Sequence, residues 1–454
     1  MERILIGACG NKGGRFVEKR KRGGRVDKKA VRSWLMYDWA NSAFVTTMVA
    51  AVLPVFYFDV AAKGLADYEA ASYWSFSQSA AMVLVALMAP FLGAVADLSG
   101  RKLMFLRLFA YLGVTATALF VLVGEGDWLL ASALFIAGQI GFSGGNTFYD
   151  SMLQDLVPPD KRDMVSSKGY AWGYLGGGLL LAVNLLMIMK PGWFGLGSTL
   201  HGTYLCFLSV AVWWFLFSLP IFRNVGPFLP KATVTLSAGK YAAAGFGRLM
   251  RTFRNIRSFP ELVKYLIAFW LFNDGINTVI TMATMYGKTI GIGTNDLIAA
   301  LLITQFVGFP CTLLFGRMAE RIGSKRALYI SLAIYAIIIS LGYFMTSALH
   351  FYLLAIVVGF VQGGSQAVAR SIFSRLVPKR QSAEFFGFLS VSSKLSSSFG
   401  PFVFGLASTL FKSSRMGILA LLIFIIGGMV MLMFVNLEKG GREAEAADRE
   451  PAAA

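Results

Sequence analysis

The sequence WLMYDWANS at residues 34–42 returns as WLFNDGINT at residues 270–278. A shift of 236 residues aligns Asp38 with Asp274 and Asn41 with Asn277. In each copy the acid and the amide are three residues apart, so they share one face of a helix inside a long apolar segment. Because polar side chains are costly in lipid, their presence there indicates a structural or functional requirement.

Three further echoes occur in the same order along the chain. GAVADLSGRK at 93–102 returns as GRMAERIGSK at 316–325, and the pair GG 144–145 with LVP 156–158 returns as GG 363–364 with LVP 376–378. SSK at 166–168 returns at 392–394. The shifts differ because connecting loops differ in length, and loops tolerate insertions. The echoes therefore predict two duplicated halves.

The composition is that of a membrane protein. Of 454 residues, 56% are hydrophobic and only 15% are charged. Twelve apolar runs are long enough to cross a bilayer as helices, which takes about 20 residues. They are 34–58, 73–95, 103–123, 128–149, 169–189, 203–222, 262–286, 297–316, 327–345, 351–373, 385–411 and 416–434.

The basic residues predict the orientation. Of the 42 Lys and Arg, only five lie in the odd-numbered connections: Lys63, Lys190, Lys288, Lys412 and Arg415. By the positive-inside rule the other face, with both termini, is expected to be cytoplasmic. The net charge of +18 then reflects topology and contact with anionic lipid head groups, and no nucleic-acid partner is expected.

These patterns divide the chain into five parts. A Gly-, Lys- and Arg-rich arm at 1–33 and a polar tail at 437–454 are expected to be disordered cytoplasmic segments. Between them lie two six-helix bundles, 34–223 and 261–436, joined by a cytoplasmic linker at 224–260. Gly169, Gly173 and Gly177 recur every four residues, a spacing that lets two helices approach closely.

The stretch at 93–102 resembles the loop motif between the second and third helices of the major facilitator superfamily, with Gly93, Asp97, Gly100, Arg101 and Lys102 at the motif positions. The resemblance implies twelve helices in two pseudo-symmetric bundles and a gating loop. The second copy keeps Gly316, Glu320, Gly323 and Lys325 but has Ser324 where an arginine is expected. This departure weakens the expectation of a gating role for the second loop.

Within that superfamily, YDWANSAF at 37–44, FNDG at 272–275 and EFFGF at 384–388 resemble the autophagy-related vacuole effluxer-like branch over nearly the whole chain. The branch is named for amino-acid efflux from the yeast vacuole. The resemblance implies a monomeric secondary transporter of a small polar solute such as an amino acid, with alternating access and optional proton coupling. The compact basic chain favours a bacterial inner membrane over a vacuolar one. No cofactor, metal site or catalytic residue is expected.

In the parent superfamily the first, fourth, seventh and tenth helices line a central cavity. That implication selects the strongly polar residues of those helices, to which Lys394 of the eleventh is added: Asp38, Asn41, Asn146, Asp150, Asp274, Asn277, Gln362, Gln366, Arg370 and Lys394. Their clustering agrees with a wet interior.

Two interpretations remain open for these residues. In the first, Asp274 contacts substrate or carries a proton beside Asn277 and Gln366, while Asp38, Asp150 and Arg370 close an inner gate as ion pairs. In the second, the same groups only pair neighbouring helices. Lys394 either reaches the cavity and attracts a carboxylate or extends to the membrane interface.

The gating loop has two interpretations as well. Asp97 and Arg101 either join the halves in one state and separate in the other, or simply form a solvated turn whose charge fixes the topology.

Two other classes of function compete with transport. GFSGG at 141–145 fits a serine-protease motif around Ser143, but the two histidines, His201 and His350, are expected at the opposite face. The sequence therefore favours a glycine-rich packing stretch over a protease motif. The third class is a transport-like scaffold or sensor that recruits partners through its basic arm and linker.

Overall fold

The computed structural model describes residues 27–65, 67–230, 258–396 and 399–449, with four isolated positions between 243 and 251. In these ranges eleven helices are long and apolar enough to cross a membrane. The first half contains α1 (Lys28–Ala61), α2 (Asp67–Ser99), α3 (Lys102–Leu122), α4 (Trp128–Leu156), α5 (Pro159–Met189) and α6 (Thr199–Asn224).

The second half contains α7 (Pro260–Thr289), α8 (Thr294–Ile322), α9 (Ser324–Tyr343), α10 (Ala348–Leu376), α11 and α12 (Ser414–Met433). The expected eleventh span, 385–411, is two consecutive helices, Ser382–Ser396 and Phe399–Leu410, which together are called α11. The helical fold with two halves is confirmed.

Each half has its own apolar core. In the first half, buried aromatic side chains such as Phe44, Tyr57 and Trp214 pack together. In the second half, Phe272, Tyr335 and Ile425 belong to another cluster. Because each bundle buries its own apolar groups, the two bundles are able to act as units that meet along a separate interface.

The outer part of α1 departs from ordinary α-helix. Pi-helical turns occupy Phe44–Val52 and Tyr57–Ala61, with Pro54 between them. Proline has no backbone N–H to donate, so the ladder of hydrogen bonds is interrupted at that point. The wider turns rotate the side chains that follow them and give α1 an irregular segment of the kind often found near functional sites.

The glycine repeat of α5 packs against α1. A Cβ on Gly173 would approach Ser42 Oγ, and one on Gly177 would lie 2.8 Å from Thr46 Oγ1. Either contact is too short for a real side chain, so the two helices are this close only because the positions are glycine.

Both predicted disordered ends need correction. The first helix begins at Lys28, where the Asp27 side chain accepts a hydrogen bond from Ala30 N at 2.9 Å, so 28–33 are helical; residues 1–26 of the arm lie outside the described part. The prediction of a disordered tail is wrong for α13 (Leu437–Arg449).

The helix α13 is held by specific contacts on the second half. The Asn436 side chain caps it by accepting from Lys439 N at 3.0 Å. Near its other end, Asp448 accepts from the backbone N–H groups of Lys379 and Arg380 at 2.9 and 3.1 Å. Composition alone indicated disorder, but these capping contacts and the burial of Ala444 order the segment.

The halves meet closely at one end of the bundle, which contains the α2–α3, α4–α5, α8–α9 and α10–α11 connections. We call this end the basic face. There α2 crosses α11: a Cβ on Gly93 would lie 2.9 Å from Glu384 Cα, and one on Gly387 would lie 2.7 Å from Pro90 Cα. The backbones of the two halves are therefore in direct contact at the basic face.

Candidate functional site

Arg370 of α10 inserts its guanidinium group into the first half. Its Nη1 donates to Asp150 Oδ1 at 2.8 Å and its Nη2 lies 3.5 Å from Asp38 Oδ2. The Nε donates to Ser166 Oγ at 2.9 Å, and Nη2 also donates to the Ser166 carbonyl at 3.0 Å. Arg370 is only 5% exposed, so this charge depends on its two carboxylates for compensation.

Aromatic rings complete the surroundings of the guanidinium. Its carbon lies 4.4 Å from the ring centre of Tyr170, 4.9 Å from Trp34 and 5.7 Å from Tyr149. Such distances allow cation–π attraction. The first half thus forms a pocket for a cation, which we call the cation box; its members are Trp34, Asp38, Tyr149, Asp150, Ser166 and Tyr170.

The cation box is held in shape by bonds among its own members. The Tyr149 hydroxyl donates to Asp38 Oδ2 at 2.7 Å, and Trp34 Nε1 donates to the Tyr149 carbonyl at 3.0 Å. The rings of Trp34 and Tyr149 stack at 4.4 Å. A Cβ on Gly169 would lie 3.1 Å from Trp34 and 2.9 Å from Arg370 Nη2, so glycine is what leaves room for the guanidinium.

A second inter-half contact starts from the motif loop. Lys102 Nζ lies 2.9 Å from Asp155 Oδ2 and 3.3 Å from Asp97 Oδ1, and it also donates to Ser382 Oγ of α11. Asp97 Oδ2 accepts from the backbone N–H of Glu384 at 3.0 Å, at the N-terminus of α11. We call this arrangement the first clasp.

The first clasp differs from the sequence prediction in its base. Arg101 was expected to join the halves with Asp97, but Arg101 is exposed, whereas Lys102 is buried between the two acids. The backbone explains the difference: Gly100 has a φ of +60° and ends α2, so the chain turns and Lys102, as the first residue of α3, points inward.

A second clasp lies on the opposite side of the interface. Asp163 at the start of α5 accepts from Ser324 Oγ at 2.8 Å and pairs with Arg375 of α10. Beside it, Arg162 Nη1 donates to the Ser374 carbonyl at 2.6 Å. The clasps are related by the internal duplication, since each joins the ends of helices in one half to the first turn of a helix in the other.

The second copy of the motif loop takes a different part. Gly323, with a φ of +93°, ends α8 as Gly100 ends α2, but Glu320 is exposed. Lys325 donates to the Met433 and Val435 carbonyls at 3.0 and 2.7 Å, within its own half. Gly316 packs across the interface, where its Cβ would lie 2.7 Å from Ser167 Cβ.

Asp274 occupies a different environment from its counterpart Asp38. It is 1% exposed and lies against α11, where a Cβ on Gly400 would be 2.9 Å from Asp274 Oδ1 and closer still to Thr278 Oγ1. No basic side chain in the described part of the chain pairs with it. Asn277, Gln362 and Gln366 are half-buried on α7 and α10.

Of the other residues predicted for the site, Asn41 and Asn146 have a defined contact, and the Lys394 side chain is not described. Asn41 Nδ2 donates to Asn146 Oδ1 at 2.6 Å, which links α1 to α4. Lys394 belongs to α11, but its side chain lies outside the described residues.

The geometry does not support a serine protease. Ser143 Oγ is buried and has no hydrogen-bond partner among the described residues. The Thr147 hydroxyl donates to the Ser143 carbonyl and leaves the Ser143 hydroxyl without a base. The ring of His201 lies 2.7 Å from Ser198 Oγ, and that of His350 lies 3.3 Å from Thr346 Oγ1. Both histidines are therefore engaged locally and neither supplies a general base to Ser143.

Several functional candidates were missed from the sequence: Trp34, Tyr149, Tyr170, Lys102 as the clasp base, Asp155, Asp163 and Arg375. One signal was present. The repeated LVP puts Asp150 and Arg370 at equivalent places, six residues before the leucine, and Asp155 and Arg375 one residue before it. Opposite charges at duplicated positions indicate a pair between the halves, which Asp150 and Arg370 form, whereas Asp155 pairs with Lys102 and Arg375 with Asp163.

Comparison with known proteins gives a consistent family. The model of the family described as "Vacuole effluxer Atg22 like" matches residues 60–445. The uncharacterized MFS-type transporter YxiO of Bacillus subtilis is 34% identical over 414 residues, which are 90% of this chain and 95% of that protein. Autophagy-related protein 22 of Yarrowia lipolytica is 28% identical over 69% of this chain and 57% of its own length.

The fold is also shared with solved structures. The human organic anion transporter MFSD10 superposes with a TM-score of 0.69 at 14% identity, covering 89% of this chain and 99% of that one. At this level of identity the similarity concerns the fold alone.

Proposed function

Because the chain belongs to the Atg22-like vacuole effluxer family of major facilitator transporters, we propose that it moves a small polar solute, such as an amino acid, by alternating access. The observation that supports this proposal is the closure of one face by non-covalent contacts between two separately packed halves. Contacts of this kind are able to break and re-form, as exchange between two states requires.

The basic face is the cytoplasmic one in this proposal. It contains the α2–α3, α4–α5, α8–α9 and α10–α11 connections, and Arg101, Lys161, Arg326 and Arg380 are all exposed on it. By the positive-inside rule both termini then lie in the cytoplasm, and the protein is a multi-pass protein of the cell membrane. The two clasps and the cation box form the closed cytoplasmic gate.

The solute pathway runs between the halves, beside the polar residues of α1, α4, α7 and α10. Amides such as Asn277, Gln362 and Gln366 are half-buried there and have capacity to bind ammonium and carboxylate groups. This chemistry fits an amino acid. Anionic lipid head groups are expected to contact the basic face. The protein is proposed to act as a monomer.

The test is flux into proteoliposomes that contain the purified protein. Solutes are first chosen by thermal shift from a panel of amino acids, peptides and sugars, and uptake is then followed with and without a pH gradient. Saturable uptake of an amino acid supports the proposal. Binding without any flux in either direction contradicts it and favours a sensor.

Replacing Asp274 with asparagine is expected to abolish the part of the flux that depends on the pH gradient. The buried carboxylate has no described basic partner, so it is the group proposed to carry the proton, and the amide keeps its size without titrating. Counterflow with equal pH on both sides is expected to persist. The matched control is Asp59→Asn, at an exposed acid of α1, which leaves both rates unchanged. Full pH-driven flux in the Asp274 variant removes this residue from the mechanism.

A further inference from the structure

The six members of the cation box all belong to the first half, and the cation that fills it belongs to the second. Two carboxylates, three aromatic rings and a hydroxyl therefore surround a guanidinium that is not part of their own bundle. In chemical terms Arg370 occupies a preformed binding site in the way that a free ligand does.

Opening of the basic face has a direct consequence for the cation box. When the halves separate, Arg370 moves away with α10, while Trp34, Asp38, Tyr149, Asp150 and Tyr170 stay together on α1, α4 and α5. The box keeps its shape because the Tyr149–Asp38 and Trp34–Tyr149 bonds lie within the first half. The two carboxylates and three rings then remain arranged around the place that the guanidinium has left, so the vacated box has affinity for another cation.

We propose that, in the state open at the basic face, the cation box binds the guanidinium or ammonium group of the transported solute, and that Arg370 displaces this group when the face closes. The solute class is therefore cationic, arginine-like amino acids or amines. The part of this inference that concerns release of a transported solute rests on the proposed transport function. Cation binding by the box is measurable without any transport.

The geometry favours guanidinium over a simple ammonium. Arg370 uses its Nε, Nη1 and Nη2 at once, each on a different acceptor, while three rings face its planar carbon. A planar group with five donors fits such a set, whereas an ammonium has three donors on one atom. Ligands with a guanidinium are expected to bind better than lysine-like ones of equal charge.

The exchange also explains how binding and gating are linked. Arg370 and the solute compete for the same acceptors, so the face closes only when the solute has left the box, and an arriving cation stabilises the open state. A ligand that binds one state alone shifts the equilibrium by its differential affinity. Arg370 thereby acts as an intramolecular competitor that displaces the solute from the box.

The experiment uses the purified full-length protein in nanodiscs and measures binding of L-arginine, methylguanidinium and the uncharged arginine analogue citrulline by calorimetry. Arg370→Ala empties the box, so this variant is expected to bind arginine and methylguanidinium at least tenfold more tightly than wild type does. Citrulline binding is expected to be at least tenfold weaker than arginine binding. Asp150→Asn added to Arg370→Ala is expected to remove the gain.

Arg107→Ala is the matched control. Arg107 also has a guanidinium over an aromatic ring, 5.4 Å from the centre of Phe222, but it is exposed on α3 and away from the box. This variant is expected to bind like wild type. If Arg370→Ala proves not to fold by size exclusion, Arg370→Gln serves instead, because it keeps length and polarity without the charge.

Equal binding of arginine and citrulline by the emptied box, or no binding by a folded variant, overturns the inference. The outcome is separable from that of the transport proposal. If the wild type transports a neutral solute while the emptied box binds no cation, the transport proposal is supported and the box is refuted as the solute-binding site. Cation binding by the emptied box without any flux supports the box and refutes transport.

Discussion

Replacing Lys102 with alanine is expected to open the basic face of the protein. Lys102 is 3% exposed and is the cation between Asp97 and Asp155, so its removal leaves two buried carboxylates facing each other. Breaking a buried pair by deleting one partner costs about 3–5 kcal/mol. This cost falls on the closed state, because separation of the halves lets water reach both acids.

The opening is measurable by pulsed EPR between spin labels at Lys161 and Arg326, exposed residues of opposite halves on the basic face, after removal of the native cysteines. A cost of this size changes the ratio of closed to open molecules by more than a hundredfold, since about 1.4 kcal/mol is a factor of ten. Longer distances are therefore expected to dominate, and net flux to fall.

The neighbouring Arg101 supplies the control. It carries the same charge in the same loop but is exposed, so Arg101→Ala is expected to leave the distance distribution unchanged. If the two variants behave alike, the loop acts through its net charge and the first clasp has no gating role.

Replacing Gly93 with alanine is expected to have the same effect by a steric route. The added Cβ would lie 2.7 Å from the Ala383 carbonyl carbon and 2.9 Å from Glu384 Cα, both of them backbone atoms of α11 that are unable to turn aside. Overpacking of this kind costs about 1–3 kcal/mol. Because the clash exists only when α2 and α11 touch, the substitution disfavours closure and leaves each bundle intact.

The same pair of spin labels tests this expectation, and the melting temperature shows whether the bundles remain folded. Gly405→Ala is the control, since a Cβ at that position of α11 meets no atom within 4 Å. A Gly93 variant with wild-type distances would show that the two helices slide apart at no cost and that their close crossing is not needed for closure.

The fold was largely predictable because its signals are long and regular. Apolar runs of about 20 residues predict the helices, and the duplicated WLMYDWANS and WLFNDGINT stretches predict the two halves. The sequence pattern was least informative at the ends. The segment after 436 has the composition of a disordered tail, yet α13 forms because Asp448 and Asn436 find backbone partners. The partners of Asp448 lie 69 and 68 residues away along the chain and leave no local signature, whereas the Asn436 cap is local and is a signal that the sequence carries.

The site was predictable only in part, for a similar reason. Polar residues in apolar helices identified Asp38, Asp150 and Arg370, which the structure brings together. The pattern gave no means to separate Asp38 from Asp274, although one is paired with Arg370 and the other is not. Their difference arises because α10 carries an arginine where α4 carries an aspartate, and that arginine reaches across to the other half.

That exchange of sign between duplicated positions also constrains how the halves recognise each other. Two copies of the first bundle placed face to face would bring Asp150 against Asp150, because Asp150 pairs with the residue at its duplicated position, Arg370. Like charges without compensation are repelled. Two copies of the second bundle would place Arg370 against Arg370. Each bundle therefore prefers the other to its own twin, and expressing the halves as separate polypeptides should yield a one-to-one heterodimer, with neither half forming a homodimer by itself.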